Sequence, residues 1–459
     1  MTENYAAFLE RAEEKLGDYR HKENNYNSTR KYNTLVAGAK EQFSNLEMAK
    51  QRAASIRWKT FESLDKYLIE FEANFQRNGG KLIWAQDAIE ALNEVLFILT
   101  KNNVKSVVKS KSMTSEEINL DKILKENNIE CVESDLGEFI LQLADEAPSH
   151  MVTPAAHKSL KEISDLYKEK FNLDGELSAE QMADYTRDTL RKKFKEAGAS
   201  ITGANFLIAD TGSVAITENE GNVMMGISFP KIQIVLAGID KILPSINDLD
   251  LFFPLLATHG TGQEITAYNS LITGPRTNDE KDGPDEVYVI IMDNGRTNLL
   301  AKQEQRSAIN CIRCGACLTA CPVYNVVGGH TYQSVYSGPI GSVILPHQQG
   351  KEEYKHLSDA STICGKCTEV CPVKINLHKL LLYNRRDFRA EDGSKSEKIT
   401  WYFWKKAMMK RELMNKGGSK TKNFVIQNFF RKSWGSRREM PRIAQKSFNE
   451  QWKELMKGS

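Results

Sequence analysis

One stretch decides the fold of the last third of this chain: Cys311-Ile-Arg-Cys314-Gly-Ala-Cys317-Leu-Thr-Ala-Cys321-Pro322. A second run, from Cys364 to Pro372, repeats much of this spacing as Cys-Gly-Lys-Cys-Thr-Glu-Val-Cys-Pro. Seven of the eight cysteines therefore lie in two short runs, and only Cys131 stands apart. Disulfides usually stabilise small secreted chains, whereas dense Cys-x-x-Cys spacing without a secretory signal indicates metal. The two runs are therefore predicted to bind metal.

The first run has the C-x2-C-x2-C-x3-C-P spacing of bacterial ferredoxins, in which the fourth cysteine binds the other cluster. If the two runs exchange ligands in this way, the sequence predicts two iron–sulfur clusters of the [4Fe–4S] type. The ligands of cluster 1 would be Cys311, Cys314, Cys317 and Cys371. The ligands of cluster 2 would be Cys321, Cys364 and Cys367. No catalytic residue is predicted.

Cluster 2 has only three cysteines because Ser361 stands where the second run would carry its leading cysteine. The fourth iron could bind Ser361, water or a partner's side chain, or it could be absent from a three-iron cluster. Structural zinc is the alternative to clusters, but each zinc site needs four ligands and seven thiols leave a remainder. The final Cys-Pro of each run has no role in a zinc ribbon either. The sequence therefore favours iron–sulfur clusters.

With 459 residues and 41% hydrophobic composition, the chain is expected to form two or more domains. We predict a helical N-terminal region over residues 1–60, an α/β domain over 61–300, a helical ferredoxin domain over 301–393 and a basic aromatic extension over 394–459. Helical spacing of apolar residues predicts helices over Ile83–Thr100 and Asn376–Arg386. Short hydrophobic runs predict strands of a largely parallel, layered sheet over Val104–Val108, Asn205–Ala209, Ser213–Thr217, Gln233–Ala237 and Val287–Met292.

The charge of the chain is distributed unevenly. Lys plus Arg (62) nearly cancel Asp plus Glu (60), yet residues 395–459 hold 17 Lys and Arg against 5 Glu. Aromatic residues accompany these charges, so we expect the extension to dock on the acidic body of the protein or on a partner protein rather than on a membrane surface or nucleic acid. No signal sequence is visible and the apolar runs are too short to cross a bilayer, which predicts a cytoplasmic protein.

Two glycine-rich polar segments interrupt the α/β domain. One covers residues 209–222 and contains Glu218 and Glu220; the other covers residues 259–276 and contains Glu264. Glycines, hydroxyls and an arginine at strand ends could bind an anion, although neither segment matches a P-loop or a dinucleotide fingerprint. Tight turns that require glycine are the alternative. The three glutamates are conceivable acid or base groups, but no paired geometry is visible.

Several segments together resemble the iron–sulfur protein B family of bacterial L-lactate utilisation. They are ESDLGEFILQLADEAPSH from Glu133, ADTGSVAITENEGN from Ala209, TGQEITAYNSLITGPR from Thr261, DNGRTNLL from Asp293, GGHTYQSVYSGPIG from Gly328 and the two cysteine runs. The resemblance implies a lactate-utilisation domain with a CoA-transferase-like α/β fold, followed by a helical two-cluster ferredoxin domain and a C-terminal extension. It also implies that the seven cysteines are the cluster ligands and that the lack of a cysteine at position 361 suits the family.

The resemblance further implies a non-catalytic electron-transfer subunit that supports oxidation of L-lactate to pyruvate. Its implied partners are a cysteine-rich-domain protein and a second protein with a lactate-utilisation domain. A competing hypothesis is that the α/β domain is itself catalytic, as a lactate or acyl-CoA enzyme, with the clusters as its electron outlet. A redox-sensing scaffold is a third possibility, but no sequence feature supports it.

Overall fold

The computed structural model describes residues 3–155, 157–393, 395–410, 412–413, 416–434 and 439–457. The chain divides into two compact units, Met1–Arg386 and Asp387–Ser459. The first and last residues of the predicted C-terminal extension, 394 and 459, and residue 1 of the predicted N-terminal region lie outside the described ranges.

A six-stranded parallel sheet forms the centre of the first unit. Its strand order is β1-β10-β7-β4-β2-β3, and all five neighbouring pairs run parallel. The strands are β1 (Lys81–Ala85), β2 (Ser106–Lys109), β3 (Glu130–Glu133), β4 (Ala199–Thr202), β7 (Ile232–Gly238) and β10 (Glu286–Met292). Every residue of β7 is buried, as expected for a parallel strand covered on both faces.

A second, smaller sheet has the order β8-β5-β6-β9 and mixed direction. Its strands are β5 (Phe206–Ile208), β6 (Ser213–Glu218), β8 (Ile242–Leu243) and β9 (Tyr268–Ile272). The pairs β5–β6 and β6–β9 are antiparallel, whereas β5–β8 is parallel. Two of the five predicted strands thus belong to this mixed sheet instead of the main parallel one.

Helices precede, cover and follow the sheets. The N-terminal helices are Glu3–Gly17, Tyr19–Ala39, Leu46–Glu62 and Leu64–Arg77. Those of the α/β region are Ala88–Lys101, Met113–Glu117, Leu120–Glu126, Leu136–Ala144, Leu160–Phe171, Ala179–Glu196, Asn222–Ser228, Leu249–Gly260 and Arg296–Leu300. Those of the cysteine region are Ala316–Thr319, Tyr324–Val327, Gly338–Gln348, Lys351–Tyr354, Lys366–Val370 and Leu377–Asp392.

The predicted helix over Ile83–Thr100 is wrong at its start. Residues 81–85 form β1, and the helix begins only at Ala88. The physical reason is a cap: the Asp87 side chain accepts hydrogen bonds from the backbone N–H groups of Ile89 and Glu90, at 2.9 and 3.0 Å, which fixes the first turn there. The helix predicted over Asn376–Arg386 is observed as Leu377–Asp392.

One hydrophobic core joins three segments of the sequence. Phe8 and Phe61 from the N-terminal helices, Phe252 from the α/β region and Leu318 and Leu345 from the cysteine region belong to the same buried cluster. Two further clusters lie on the two faces of the parallel sheet. The cysteine region is therefore packed into the body of the first unit.

The second unit is helical where it is described. Its helices are Lys395–Met409, Ser419–Phe429, Arg431–Trp434 and Phe448–Leu455. Large aromatic side chains here are exposed, among them Phe403 (63%) and Phe429 (72%). Among the described residues, no helix is both long and apolar enough to cross a membrane. The predicted fold class, an α/β domain with a parallel sheet followed by a mainly helical cysteine region, is confirmed.

Candidate iron–sulfur site

The two cysteine runs fold into the same turn followed by a short helix. In the first, Arg313 and Gly315 have left-handed backbones (φ 60° and 78°) and lead into Ala316–Thr319. In the second, Ile363 and Gly365 do the same (φ 54° and 84°) and lead into Lys366–Val370. Because left-handed φ is costly for most residues, its recurrence at matched positions shows that the two runs share one specific turn shape.

This repeat places Ser361 where the first run has Cys311. The backbone N–H of Arg313 donates to Cys311 Sγ at 3.3 Å, and that of Ile363 donates to Ser361 Oγ at 3.2 Å. The serine oxygen therefore occupies the same place in its turn as the cysteine sulfur does in the other. Arg385 fixes this segment by donating to the carbonyl oxygen of Ser361 at 3.0 Å.

Cys311, Cys314, Cys317 and Cys371 form one electrostatic group. Burial, and then the charge of Cys311, raises the pKa of the Cys314 thiol. Burial raises the pKa of Cys317 well above its usual value, and the charges of Cys311, Cys314, Cys371 and Cys367 add to it. Burial also raises the pKa of Cys371 to about 12, although its sulfur accepts from the Ile375 N–H at 3.3 Å. Four thiols thus lie together in surroundings that disfavour free thiolate.

Cys321, Cys364 and Cys367 form a second group that adjoins the first through Cys317. Burial, and then the charge of Cys321, raises the pKa of Cys367 to about 11. Cys364 is exposed, and hydrogen bonds from the Lys366 N–H and the Thr362 hydroxyl lower its pKa. Which atoms bind iron remains a prediction.

The spacing of the cysteine sulfur atoms differs from that of a tetrahedral zinc site. Ligand sulfurs of a tetrahedral zinc site lie about 3.8 Å apart, given Zn–S bonds of about 2.3 Å. Among the described residues, the only three ligand-type atoms within 4.8 Å of one another belong to Glu116, Asp121 and Glu133. The Lys109 ammonium lies among these carboxylates, at 2.5 to 3.7 Å. Among the described residues, no three thiols are therefore as close together as the ligand sulfurs of a tetrahedral zinc site would be.

A buried network of charged side chains lies beside the first group. Arg296 forms a bidentate pair with Glu117, with Nη1–Oε1 3.0 Å and Nη2–Oε2 2.8 Å. Its Nε also donates to Asp240 Oδ1 at 2.5 Å, and Asp240 Oδ2 lies 3.3 Å from Arg313 Nη2. The Tyr336 hydroxyl completes the network by donating to Glu117 at 2.5 Å. All five residues are at most 9% exposed, so the network is part of the core.

Two more cations bring this network to a positive surplus. Arg57 is buried and donates only to backbone carbonyls, including Ile242 O at 2.8 Å. Burial lowers the pKa of Lys241 to about 8, against the opposing charge of Asp240. Against the effect of burial, the negative charge of the Cys311 thiolate favours a higher pKa for Arg57, Lys241 and Arg313. Four cations thus face two carboxylates next to the first cysteine group.

Sequence reasoning missed this network. Arg313 stands inside the first cysteine run, so its position was visible, but its partners were not. Glu117 lies 179 residues from Arg296, and only the fold brings them together. The single local signal is the position of Arg313 between two cysteines, in Cys311-Ile-Arg313-Cys314.

A cavity of about 530 Å³ extends from the first cysteine group to the α/β domain. Part of each predicted glycine-rich segment lines it, including Glu218, Glu220 and Thr261. The remainder of those segments does not. Gly212 (φ 61°) packs against the backbone of Phe75, where a Cβ atom would lie 2.3 Å from nitrogen, so this glycine serves a tight turn. Arg276 pairs with Asp285 at 2.7 Å, away from the cavity.

Comparisons with known proteins match both halves of the first unit. Residues 68–292 match the LUD domain and residues 307–375 match the 4Fe-4S dicluster domain. Lactate utilization protein B of Bacillus cytotoxicus is 40% identical over 443 residues, covering 94% of this chain and 93% of that protein. Lactate utilization protein B of Bacillus subtilis is 44% identical over 356 residues, covering 77% and 74%. A solved DUF162 family protein from Deinococcus radiodurans has 13% identity and a TM-score of 0.29, covering 50% of this chain and 98% of its own.

Proposed function

Because this chain belongs to the lactate utilization protein B family, as its motifs predict, we propose that it transfers electrons released when L-lactate is oxidised to pyruvate. The observation that carries this proposal is the pair of matched turn-and-helix cysteine runs within a 4Fe-4S dicluster domain. Iron–sulfur clusters, when bound, supply one-electron transfer. The chain itself supplies thiol ligands, N–H donors to sulfur and fixed charges.

We assign Cys311, Cys314, Cys317 and Cys371 to one cluster, and Cys321, Cys364 and Cys367 to the other. The electrostatic grouping of the thiols supports this division. Because Cys364 is exposed whereas Cys314 and Cys317 are buried, electrons would pass between the protein and a partner at the second cluster. The first cluster, beside the buried charge network, would be the inner carrier.

We further assign Ser361 Oγ to the open ligand position of the second cluster. The matched N–H contacts of Cys311 Sγ and Ser361 Oγ, at 3.3 and 3.2 Å, support this assignment. Serine oxygen is a harder ligand than thiolate, so we expect it to give the second cluster a spectrum different from that of the first.

Anaerobic purification with iron and sulfide analysis and EPR spectroscopy tests both assignments. The intact protein should contain about eight irons, as two [4Fe–4S] clusters require. Ser361→Cys should keep the iron count and change the EPR signal of one cluster only. Ser361→Ala should favour loss of iron from that cluster.

A matched control is Ser228→Ala, which removes a hydroxyl that donates only to the Met224 carbonyl, far along the chain from both runs. Its iron count and spectrum should equal those of the unaltered protein. If Ser361→Cys and Ser361→Ala also leave both unchanged, Ser361 is not a ligand. A colourless, zinc-loaded preparation would overturn the cluster assignment as a whole.

Catalysis by the α/β domain is a second candidate function. The observation that favours it is the cavity beside Cys314, which would place a bound substrate next to the first cluster. Purified protein should be assayed anaerobically with L-lactate and an artificial electron acceptor, without other proteins. Turnover under these conditions would replace the pure electron-carrier function with a catalytic one, whereas its absence supports the carrier.

We propose other cytoplasmic lactate-utilisation proteins as partners, namely a cysteine-rich-domain protein and a second LUD-domain protein. The basic extension, with exposed Trp401, Phe403 and Trp404, suits a docking role. Truncation after Gly393 should weaken co-purification with these partners while the clusters remain. If the truncated chain assembles normally, the extension does not dock them.

A further inference from the structure

The large cavity lies where a parallel sheet is best arranged to hold a ligand. Strand β2 leads to β3 on one side of the sheet, whereas β4 leads to β7 on the other, so the strand order reverses between the parallel neighbours β2 and β4. Ser110 and Ser112 follow β2, and Gly203 and Asn205 follow β4; all four line the cavity. Ligands of open α/β sheets bind at such a point, outside the carboxyl ends of the strands.

The carboxylates that line this cavity already have partners. Glu218 accepts from the N–H groups of Val223 and Met224, at 2.9 and 3.1 Å. Glu220 accepts from the Leu136 N–H at 3.1 Å, and Asp135 pairs with Lys111 at 3.4 Å. Their hydrogen-bonding capacity is therefore partly used within the protein, so these groups do not define a cation site.

The cations at the inner end differ from them. Lys241, the last residue of the 3-10 helix Ile239–Lys241 that follows β7, has no hydrogen-bond or ion-pair partner among the described residues, although it lines the cavity. Arg313 also lines the cavity and is only 9% exposed. Its Nη1 atom is buried without a hydrogen-bond partner in the described part of the chain. Buried donors normally have partners, so an acceptor is expected to bind here.

We propose that this cavity binds a small organic carboxylate of the 2-hydroxy or 2-oxo acid class, with its carboxylate against Lys241 and beside Arg313. Lys241 and Arg313 are the two cations of the adjoining network that line the cavity, and they favour an anion at its inner end. The hydroxyl groups of Ser110, Ser112 and Thr114 line the same cavity and suit a neighbouring hydroxyl or carbonyl oxygen. The choice of 2-hydroxy and 2-oxo acids rests on the proposed function, whereas the anion site itself rests on geometry alone.

Isothermal titration calorimetry of the anaerobically purified holoprotein tests this site with L-lactate, pyruvate and inorganic phosphate. We expect the two carboxylates to bind. Lys241→Gln should weaken their binding about tenfold or more, because it removes the unpaired cation from the cavity. Lys241→Arg, which keeps the charge, should retain most of the affinity.

The matched control is Lys122→Gln, which changes the same charge at a side chain that is 75% exposed on Leu120–Glu126. It should leave carboxylate binding unchanged. Absence of binding by both carboxylates to the unaltered holoprotein would overturn the proposal even if Lys241→Gln does not fold. Binding of phosphate alone would overturn the carboxylate class, and equal binding by Lys241→Gln would overturn the role of Lys241. Electron transfer is measured separately by EPR, so its failure is distinguishable from failure of this site.

Discussion

The two cysteine runs have nearly the same spacing and the same turn, yet they lie in different surroundings. Both runs contribute buried cysteines to the hydrophobic core, but only the first lies beside Arg57, Lys241 and Arg313. The second presents an exposed Cys364, and its nearby cation Lys366 forms a surface ion pair with Glu369 at 3.0 Å. Local sequence therefore sets the ligand geometry, whereas tertiary packing sets the solvent access and charge that would give two clusters different roles.

The largest expected difference follows from removing one thiol from each run. Cys317→Ala should abolish the first cluster, lowering iron content by about half, and should strongly lower thermal stability because Cys317 lies in the core. Cys364→Ala should remove the second cluster with a smaller loss of stability. Iron analysis and anaerobic thermal unfolding measure both effects. Equal losses of stability would contradict the difference in burial.

Next in size is the effect of breaking the buried ion pair beside the first run. Glu117→Gln leaves Arg296 with one charged partner fewer and should lower the free energy of unfolding by about 3–5 kcal/mol. Glu369→Gln breaks the exposed pair beside the second run and should change it by at most about 0.5 kcal/mol. Denaturant titration of both variants compares them directly. A small effect of Glu117→Gln would show that the buried charge network contributes little to the free energy of unfolding.

A smaller difference is expected from the two turn glycines. Alanine at either position meets a left-handed backbone, which costs about 1–2 kcal/mol. Gly315→Ala should cost more than Gly365→Ala, because its Cβ atom would lie 3.1 Å from Val152, whereas the closest atom to the other lies 3.9 Å away, in His378. Denaturant titration of the two variants measures which one loses more unfolding free energy. A larger loss for Gly365→Ala would show that the side chains around Gly315 move to accommodate the added methyl group.

The smallest expected effect is a shift of reduction potential. Arg313→Gln removes a buried positive charge near Cys311, so the reduced, more negative state of the first cluster should be disfavoured. We expect its potential to fall by up to about 60 mV, equivalent to about 1.4 kcal/mol for one electron. Lys366→Gln, at the exposed second run, should change either potential less. EPR-monitored redox titration compares the variants. If Arg313→Gln lowers only the potential of the second cluster, Arg313 acts on that cluster and not on the first.

The sequence predicts those parts of the fold that depend on local pattern. Strands β7 and β10 agree with prediction to within one residue at each end because both are continuous apolar runs. Strand β1 was hidden because its apolar residues at 82 and 83 also fit the helical spacing of the segment that follows. Strand β4, buried but containing Ser200 and Thr202, carries no comparable signal.

The candidate site also has parts that local sequence predicts and parts that it does not. The cysteine spacing predicts which thiols come together, and the gap at Ser361 is visible from alignment of the two runs. The network of Arg57, Glu117 and Asp240 is not visible in the sequence, because its members are far apart in the chain and look like ordinary surface charges. The cavity is likewise a property of how strand ends meet the cysteine region, which no single segment encodes.

That the chain holds two clusters in unequal surroundings is tested most directly by potentiometric EPR titration of the anaerobically purified protein, with iron and sulfide counted on the same sample. We predict about eight irons per chain and two signals with distinct midpoint potentials, of which Cys364→Ala abolishes only one. About four irons with a single signal, or loss of both signals in Cys364→Ala, would contradict two clusters in unequal surroundings.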